Sequence, residues 1–192
     1  MTYVDDYPGA AKLVRWHFGV AFIAFALGGV FGLLQGLYRT DYFREALPID
    51  ATQYYTVLTG HGVLLALVFT TFFICGMFVW ATTRSLDRPL YSDRLAWVGF
   101  GSMFVGTALA ATAILNGFAP GLPFDSADVL YTFYAPLKAH PAFYFGAALL
   151  VVGSWILGAV YFLTYREWRA DNPDARIPLQ TFMVLTTFIM WY

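Results

Sequence analysis

Four long apolar runs, separated by short polar stretches, dominate the chain. A membrane-spanning helix needs about 20 predominantly apolar residues, and runs of that length lie near Leu13 to Tyr38, Tyr54 to Thr83, Leu95 to Phe118 and Pro141 to Tyr165. A fifth run begins at Leu179 and reaches the last residue, Tyr192. At 1.5 Å per residue, its length covers only about two thirds of a ~30 Å hydrocarbon core. The pattern predicts an all-α polytopic transmembrane helix bundle with four complete spans and the start of a fifth, residues 179–192. It also predicts one transmembrane domain over residues 1–192 and a chain that is a fragment. No internal repeat or low-complexity segment argues for a second domain.

The polar stretches orient this bundle. Three connectors, Arg39 to Gln53, Arg84 to Arg94 and Ala119 to His140, join the complete spans, and Arg166 to Pro178 leads to the fifth run. Lys12, Arg15, Arg84, Arg88, Arg94, Arg166, Arg169 and Arg176 fall on one side, against Arg39, Arg44 and Lys138 on the other. Cations concentrate on the cytoplasmic face, so the N-terminus is expected inside and the connector ending at His140 outside. Trp16, Tyr38, Tyr54, Tyr55, Trp80, Tyr165 and Trp168 sit near span ends, where amphipathic rings favour the headgroup level.

Composition agrees with the pattern: 59% of residues are hydrophobic and only 12% charged, half the charge of an average soluble domain. A net charge of −1 without any basic run leaves no footprint for nucleic acid. Cys75 is the single cysteine, so the chain forms no internal disulfide and carries no multi-cysteine metal site. It reads as a small packing residue. Acids and a proline precede the first span, and no small-residue cleavage site follows a short apolar core, so that segment reads as a retained span. Gly28, Gly29, Gly32 and Gly36 form small-residue steps that would admit a neighbouring helix or a flat ligand.

Three histidines are the candidates for chemistry. His17, beside Arg15 and Trp16, is expected to reach water or headgroups at the entrance of the first span. His140, just before Pro141, is expected to bond to loop backbone. His61 differs, lying seven residues into its span, about 10 Å along the helix from Tyr54. An ionisable ring at that depth marks a functional site or must be hydrogen-bonded to a neighbouring helix. Neutral imidazole is a standard axial ligand for heme iron, and Gly60 and Gly62 would leave room for a macrocycle. Helical spacing puts Tyr54, Leu58, Leu65 and Val68 on the same face as His61.

Two long segments carry a family resemblance. YYTVLTGHGVLLALVFT (residues 54–70) and LYTFYAPLKAHPAFY (residues 130–144), with GVFGLLQ (residues 29–35) agreeing more loosely, resemble the N-terminal part of subunit I of heme-copper terminal oxidases, specifically the B-type (ba-type) branch. The connector SLDRPLYSD (residues 85–93) lacks the asparagine-rich pattern of the A-type branch. The resemblance implies that His61 is one axial ligand of a low-spin heme b, that Tyr54 contacts that heme, and that Tyr131 and Tyr134 lie near its propionates. Interfacial anchoring is the competing role of the three tyrosines. The second axial histidine, the copper ligands and the high-spin heme ligand of that family lie on later helices and are absent from this sequence.

On this resemblance the whole subunit would reduce O2 with proton pumping in the plasma membrane of a prokaryote. Its expected partners are the remainder of subunit I, a copper-bearing subunit II, and an external donor such as cytochrome c or a blue-copper protein. The segment alone is expected to be inactive. A nitric-oxide-reducing relative and a non-catalytic membrane packing or assembly protein are the alternatives.

Overall fold

In the computed structural model, residues 2–46, 49–115 and 140–191 are described, and among them every regular element is a helix. The elements are α1 (Tyr3–Asp6), α2 (Pro8–Tyr38), α3 (Asp41–Ala46), α4 (Ala51–Gly62), a π-helical stretch (Val63–Phe69), α5 (Thr70–Leu86), α6 (Asp93–Leu115), α7 (Pro141–Asp171) and α8 (Leu179–Trp191). Four stretches are long and apolar enough to cross a membrane: Pro8–Tyr38, Gln53–Leu86, Asp93–Leu115 and Pro141–Asp171, with Leu179–Trp191 a shorter apolar helix. The expected polytopic helical architecture is therefore present. The spans differ from expectation mainly at their ends, where α2 begins five residues earlier than Leu13 and α7 runs six residues past Tyr165.

Local chemistry explains where helices start and stop. Asp50 opens α4 with a reciprocal capping box: its carboxylate accepts from the Gln53 backbone N–H at 2.8 Å, and the Gln53 side-chain oxygen accepts from the Asp50 N–H at 3.2 Å. Two of the helix's orphan donors are thereby satisfied. Pro141 opens α7, a position where its missing N–H costs nothing, and the Ala142 N–H donates to His140 Nδ1 at 3.1 Å. His140 thus does bond to local backbone. At the end of α5, Asp87 takes the left-handed conformation, φ 47°, and the Arg88 N–H reaches back to the Thr83 carbonyl at 3.2 Å. That is the helix-terminating turn in which a left-handed residue is required, and aspartate tolerates it better than most side chains.

The chain divides into two compact units. The first comprises Met1–Val20, Thr71–Met103 and Val151–Tyr192. Its core buries Leu13, Phe72, Val79, Met103, Leu157, Val160, Tyr161 and Phe188. The Tyr161 hydroxyl donates to the Cys75 carbonyl at 2.9 Å, so this buried polar group is paired, as burial requires. Cys75 itself is fully buried and free. At one end of the unit, the Tyr7 hydroxyl donates to Asp87 at 2.5 Å, and Arg88 bridges Glu167 and Asp171 at 3.1 Å each.

The second unit comprises Ala21–Thr70 and Phe104–Leu150. Ala110, Ala113, Ile114 and Phe143 form a buried cluster with Val63 packed against it. Gly106 of α6 faces Gly146 of α7, with a Cβ at Gly106 falling 2.8 Å from the Leu150 amide nitrogen. Backbones approach this closely only where side chains are missing, the usual basis of helix association in lipid. Phe22, Ile23, Phe25, Val30 and Leu33 on α2 are exposed, which suits a helix whose solvent is hydrocarbon.

Candidate functional site

His61 sits on the last turn of α4, two residues before the π-helical stretch. Its Nδ1 lies 2.7 Å from the Gly28 carbonyl oxygen of α2. A carbonyl can only accept, so Nδ1 carries the proton and donates. In the neutral form of that tautomer the lone pair falls on Nε2, for which no hydrogen bond is found among the described residues. A ring nitrogen fixed to a backbone carbonyl, with the other left as a lone pair, is the arrangement that orients metal-bound histidines. The same bond also satisfies the structural requirement for a partner on a neighbouring helix.

Small residues make this approach possible. A Cβ placed on Gly32 would fall 2.6 Å from His61 Cε1 and 2.9 Å from Nδ1, and one on Gly28 would fall 2.7 Å from Leu65 Cδ2. Gly28 and Gly32 therefore receive the α4 side, whereas Gly29 and Gly36 have nothing within 4 Å. Of the two glycines flanking His61, Gly62 is open, but Gly60 is occupied: a Cβ there would meet the Phe31 ring at 2.7 Å. The clearance expected at Gly60 is taken up by Phe31. Beside it, a pocket of about 100 Å³ is lined by residues including Phe31, Gly60, Val63, Val68, Thr107 and Ile114.

Tyr54, two turns before His61, has its ring 5.3 Å from that of Tyr38 and hydrogen-bonds to Arg39, raising the arginine's pKa. The Tyr38 hydroxyl donates to the Ile49 carbonyl at 2.9 Å. Together with Leu34, Gln35, Leu37, Phe43 and Val57, these residues line a partly open pocket of about 100 Å³. Gln35 is 8% exposed, and its amide nitrogen is buried with no hydrogen-bond partner. The expected Leu65 and Val68 both face inward, Leu65 against Gly28 and Val68 buried. Tyr131 and Tyr134 lie outside the described residues. Among the described residues, no group of three or more histidine, cysteine or acidic side chains is placed to hold a metal ion.

His17 corrects an expectation. It is fully buried rather than reaching water or headgroups, with Nδ1 2.9 Å from the Leu13 carbonyl of its own helix and its ring 4.9 Å from that of Phe100. Its helix starts earlier than the apolar run indicates, which places His17 a full two turns inside. Two features of the site escaped sequence reasoning, Gln35 and the π-helical stretch. A lone glutamine in an apolar run was the available signal for the first. Nothing in the residue pattern announces the second.

Residues 12–192 match the family model described as Cytochrome C and Quinol oxidase polypeptide I. Cytochrome c oxidase subunit 1 of Thermus thermophilus is 36% identical to this chain over 194 residues, an alignment covering 98% of this chain and 32% of that protein. The chain thus spans about a third of the length of the curated relative it matches.

Proposed function

The chain belongs to the cytochrome c and quinol oxidase polypeptide I family, and from that premise we propose that it supplies the amino-terminal helices of a B-type heme-copper oxidase subunit in which His61 is one axial ligand of a low-spin heme b. The observation that carries this reading is the Nδ1 hydrogen bond to the Gly28 carbonyl. It leaves Nε2 as the iron-binding atom and holds the ring in one tautomer.

When bound, heme b supplies a one-electron carrier. The residues of this chain would hold and orient it. The Gly28 carbonyl raises the basicity of the imidazole and sets its plane. Gly32 gives the ring its place against α2. Leu65, packed toward Gly28, and the buried Val68 would supply apolar surface on the same side. On the family resemblance, Tyr54 and the connector residues Tyr131 and Tyr134, which lie outside the described residues, would serve the propionate side. We place the N-terminus in the cytoplasm of a prokaryote, which puts His61 in the outer half of the membrane, a suitable depth for electrons from a copper-bearing subunit II and an external donor. The O2-reducing, proton-pumping centre lies with ligands contributed from the remainder of subunit I.

Exchange of His61 for alanine tests the assignment. In the protein purified from its membrane, His61→Ala should abolish the six-coordinate low-spin α-band of the reduced heme. A low-spin spectrum retained by His61→Ala rules the ligand role out. In that case His61 serves only to pair two helices.

A further inference from the structure

An open groove of about 420 Å³ lies between α7 and α8 within the first unit, lined by Trp155, Gly158, Ala159 and Phe162 of α7 and by Phe188 and Ile189 of α8. Phe188 packs against Gly158, where a Cβ would fall 2.9 Å from its ring. Ala159 is exposed beside it, and Trp155, Phe162 and Ile189 are exposed around it. The groove exists because Gly158 and Ala159 offer at most a methyl group between bulky neighbours.

The register of α7 gives the groove a direction. Trp155, Ala159, Phe162 and Arg166 recur at steps of four, three and four residues, which places them on one face of the helix. Arg166 is exposed and makes no ion pair among the described residues. The acids nearest it along the helix, Glu167 and Asp171, are drawn to Arg88. Arg169 and Arg176 add positive charge at this end against the one remaining acid, Asp174. At 1.5 Å per residue, Trp155 and Arg166 stand about 16 Å apart along the axis. One leaflet supplies half of a ~30 Å hydrocarbon core, about 15 Å. The groove and its cation therefore match the depth of a single leaflet.

These dimensions select the occupant. One turn of a helix, about 10 Å across and 5.4 Å high, already fills roughly this volume, so the groove cannot seat a spanning segment along its length. An acyl chain is narrow enough to follow it. A phosphate at its end suits the forked donors of an arginine without a carboxylate partner. We propose that the α7–α8 groove binds one anionic phospholipid, with an acyl chain over Gly158 and Ala159 and the phosphate paired with Arg166. The tail extends the contact between α7 and the short α8 beyond Phe188 and Gly158. This site is independent of the axial role of His61.

The test uses the protein purified from its own membrane, stripped of lipid and titrated with phosphatidylglycerol or phosphatidylcholine in mixed micelles, followed by native mass spectrometry and thermal unfolding. The parent should bind one phosphatidylglycerol saturably and unfold at a higher temperature with it. Loss of one cation near a bilayer surface weakens anionic-lipid binding roughly fivefold. Arg166→Gln should weaken by that factor and lose the preference over phosphatidylcholine, whereas Arg44→Gln should bind as the parent does. Ala159→Phe, which fills the groove from an exposed position, should lose saturable binding of both lipids. A benzophenone amino acid in place of Ala159, irradiated in the native membrane, should become linked to phospholipid. Binding that never saturates, parent-like affinity in Arg166→Gln or Ala159→Phe, or a cross-link to protein instead of lipid overturns the proposal.

Discussion

Replacing Gly32 by alanine would drive a methyl carbon into the imidazole of His61. The added Cβ would stand 2.6 Å from Cε1 and 2.9 Å from Nδ1, where ordinary contact begins near 3.4 Å. The ring must retreat from α2 by about 0.8 Å to relieve the overlap, in line with the 1–3 kcal/mol usual for overpacked sites. Because the Gly28 carbonyl belongs to the same helix, that retreat lengthens the 2.7 Å hydrogen bond to roughly 3.5 Å, at the edge of what counts as one. Losing such an orienting partner weakens metal binding about 10- to 100-fold. The assay is a heme titration of Gly32→Ala in detergent, followed by the low-spin α-band. Gly29→Ala is the matched control on the same helix, since nothing lies within 4 Å of that position. Gly29→Ala should bind as the parent does, with a small gain in helix stability of about 1 kcal/mol. Parent-like heme affinity in Gly32→Ala would refute the view that Gly32 and Gly28 hold the ligand.

Two further substitutions probe the frame around the site. Gly106→Ala places a Cβ 2.8 Å from the Leu150 amide nitrogen, and it should destabilise the α6 and α7 pairing by about 1–3 kcal/mol, measured by thermal unfolding in detergent; an unchanged midpoint would mean that this close approach is not needed. At the other unit's end, burial and then the Asp87 carboxylate push the Tyr7 hydroxyl up to about 12. The fold holds the neutral phenol, so this contribution to stability is complete below about pH 10 and is lost as pH rises toward 12. Tyr7→Phe should remove that alkaline dependence, followed as the difference in near-ultraviolet tyrosinate absorbance, and a Tyr7 that ionises at the ordinary tyrosine value would contradict the burial and hydrogen bond described.

Much of the architecture is legible in the residue order because lipid imposes a length rule: each span must satisfy its own backbone inside an apolar run of about 20 residues. That rule locates α2, the Gln53–Leu86 stretch, α6 and α7 to within about six residues at each end, and Asp50, Asp93 and Pro141 mark three of the starts. Helix ends were harder to read where polar residues continue a helix, as Arg166, Glu167 and Arg169 do in α7. The candidate site was legible in one residue, His61, since an isolated imidazole at that depth needs a partner. Which partner it finds was not, because hydropathy carries no information on which faces of two helices meet.

By itself, then, the sequence determined that this is a helical membrane protein, where its spans run, and that His61 is the ring requiring an explanation, all consequences of local composition and the cost of polar groups in hydrocarbon. Tertiary structure alone decided that the Gly28 carbonyl fixes the His61 tautomer, that Phe31 fills the space beside Gly60, that His17 is buried, and that Gln35 shares a pocket with Tyr54. Those outcomes depend on the rotation and register of one helix against another. Packing between residues about thirty positions apart sets both, and no single run of the chain encodes them.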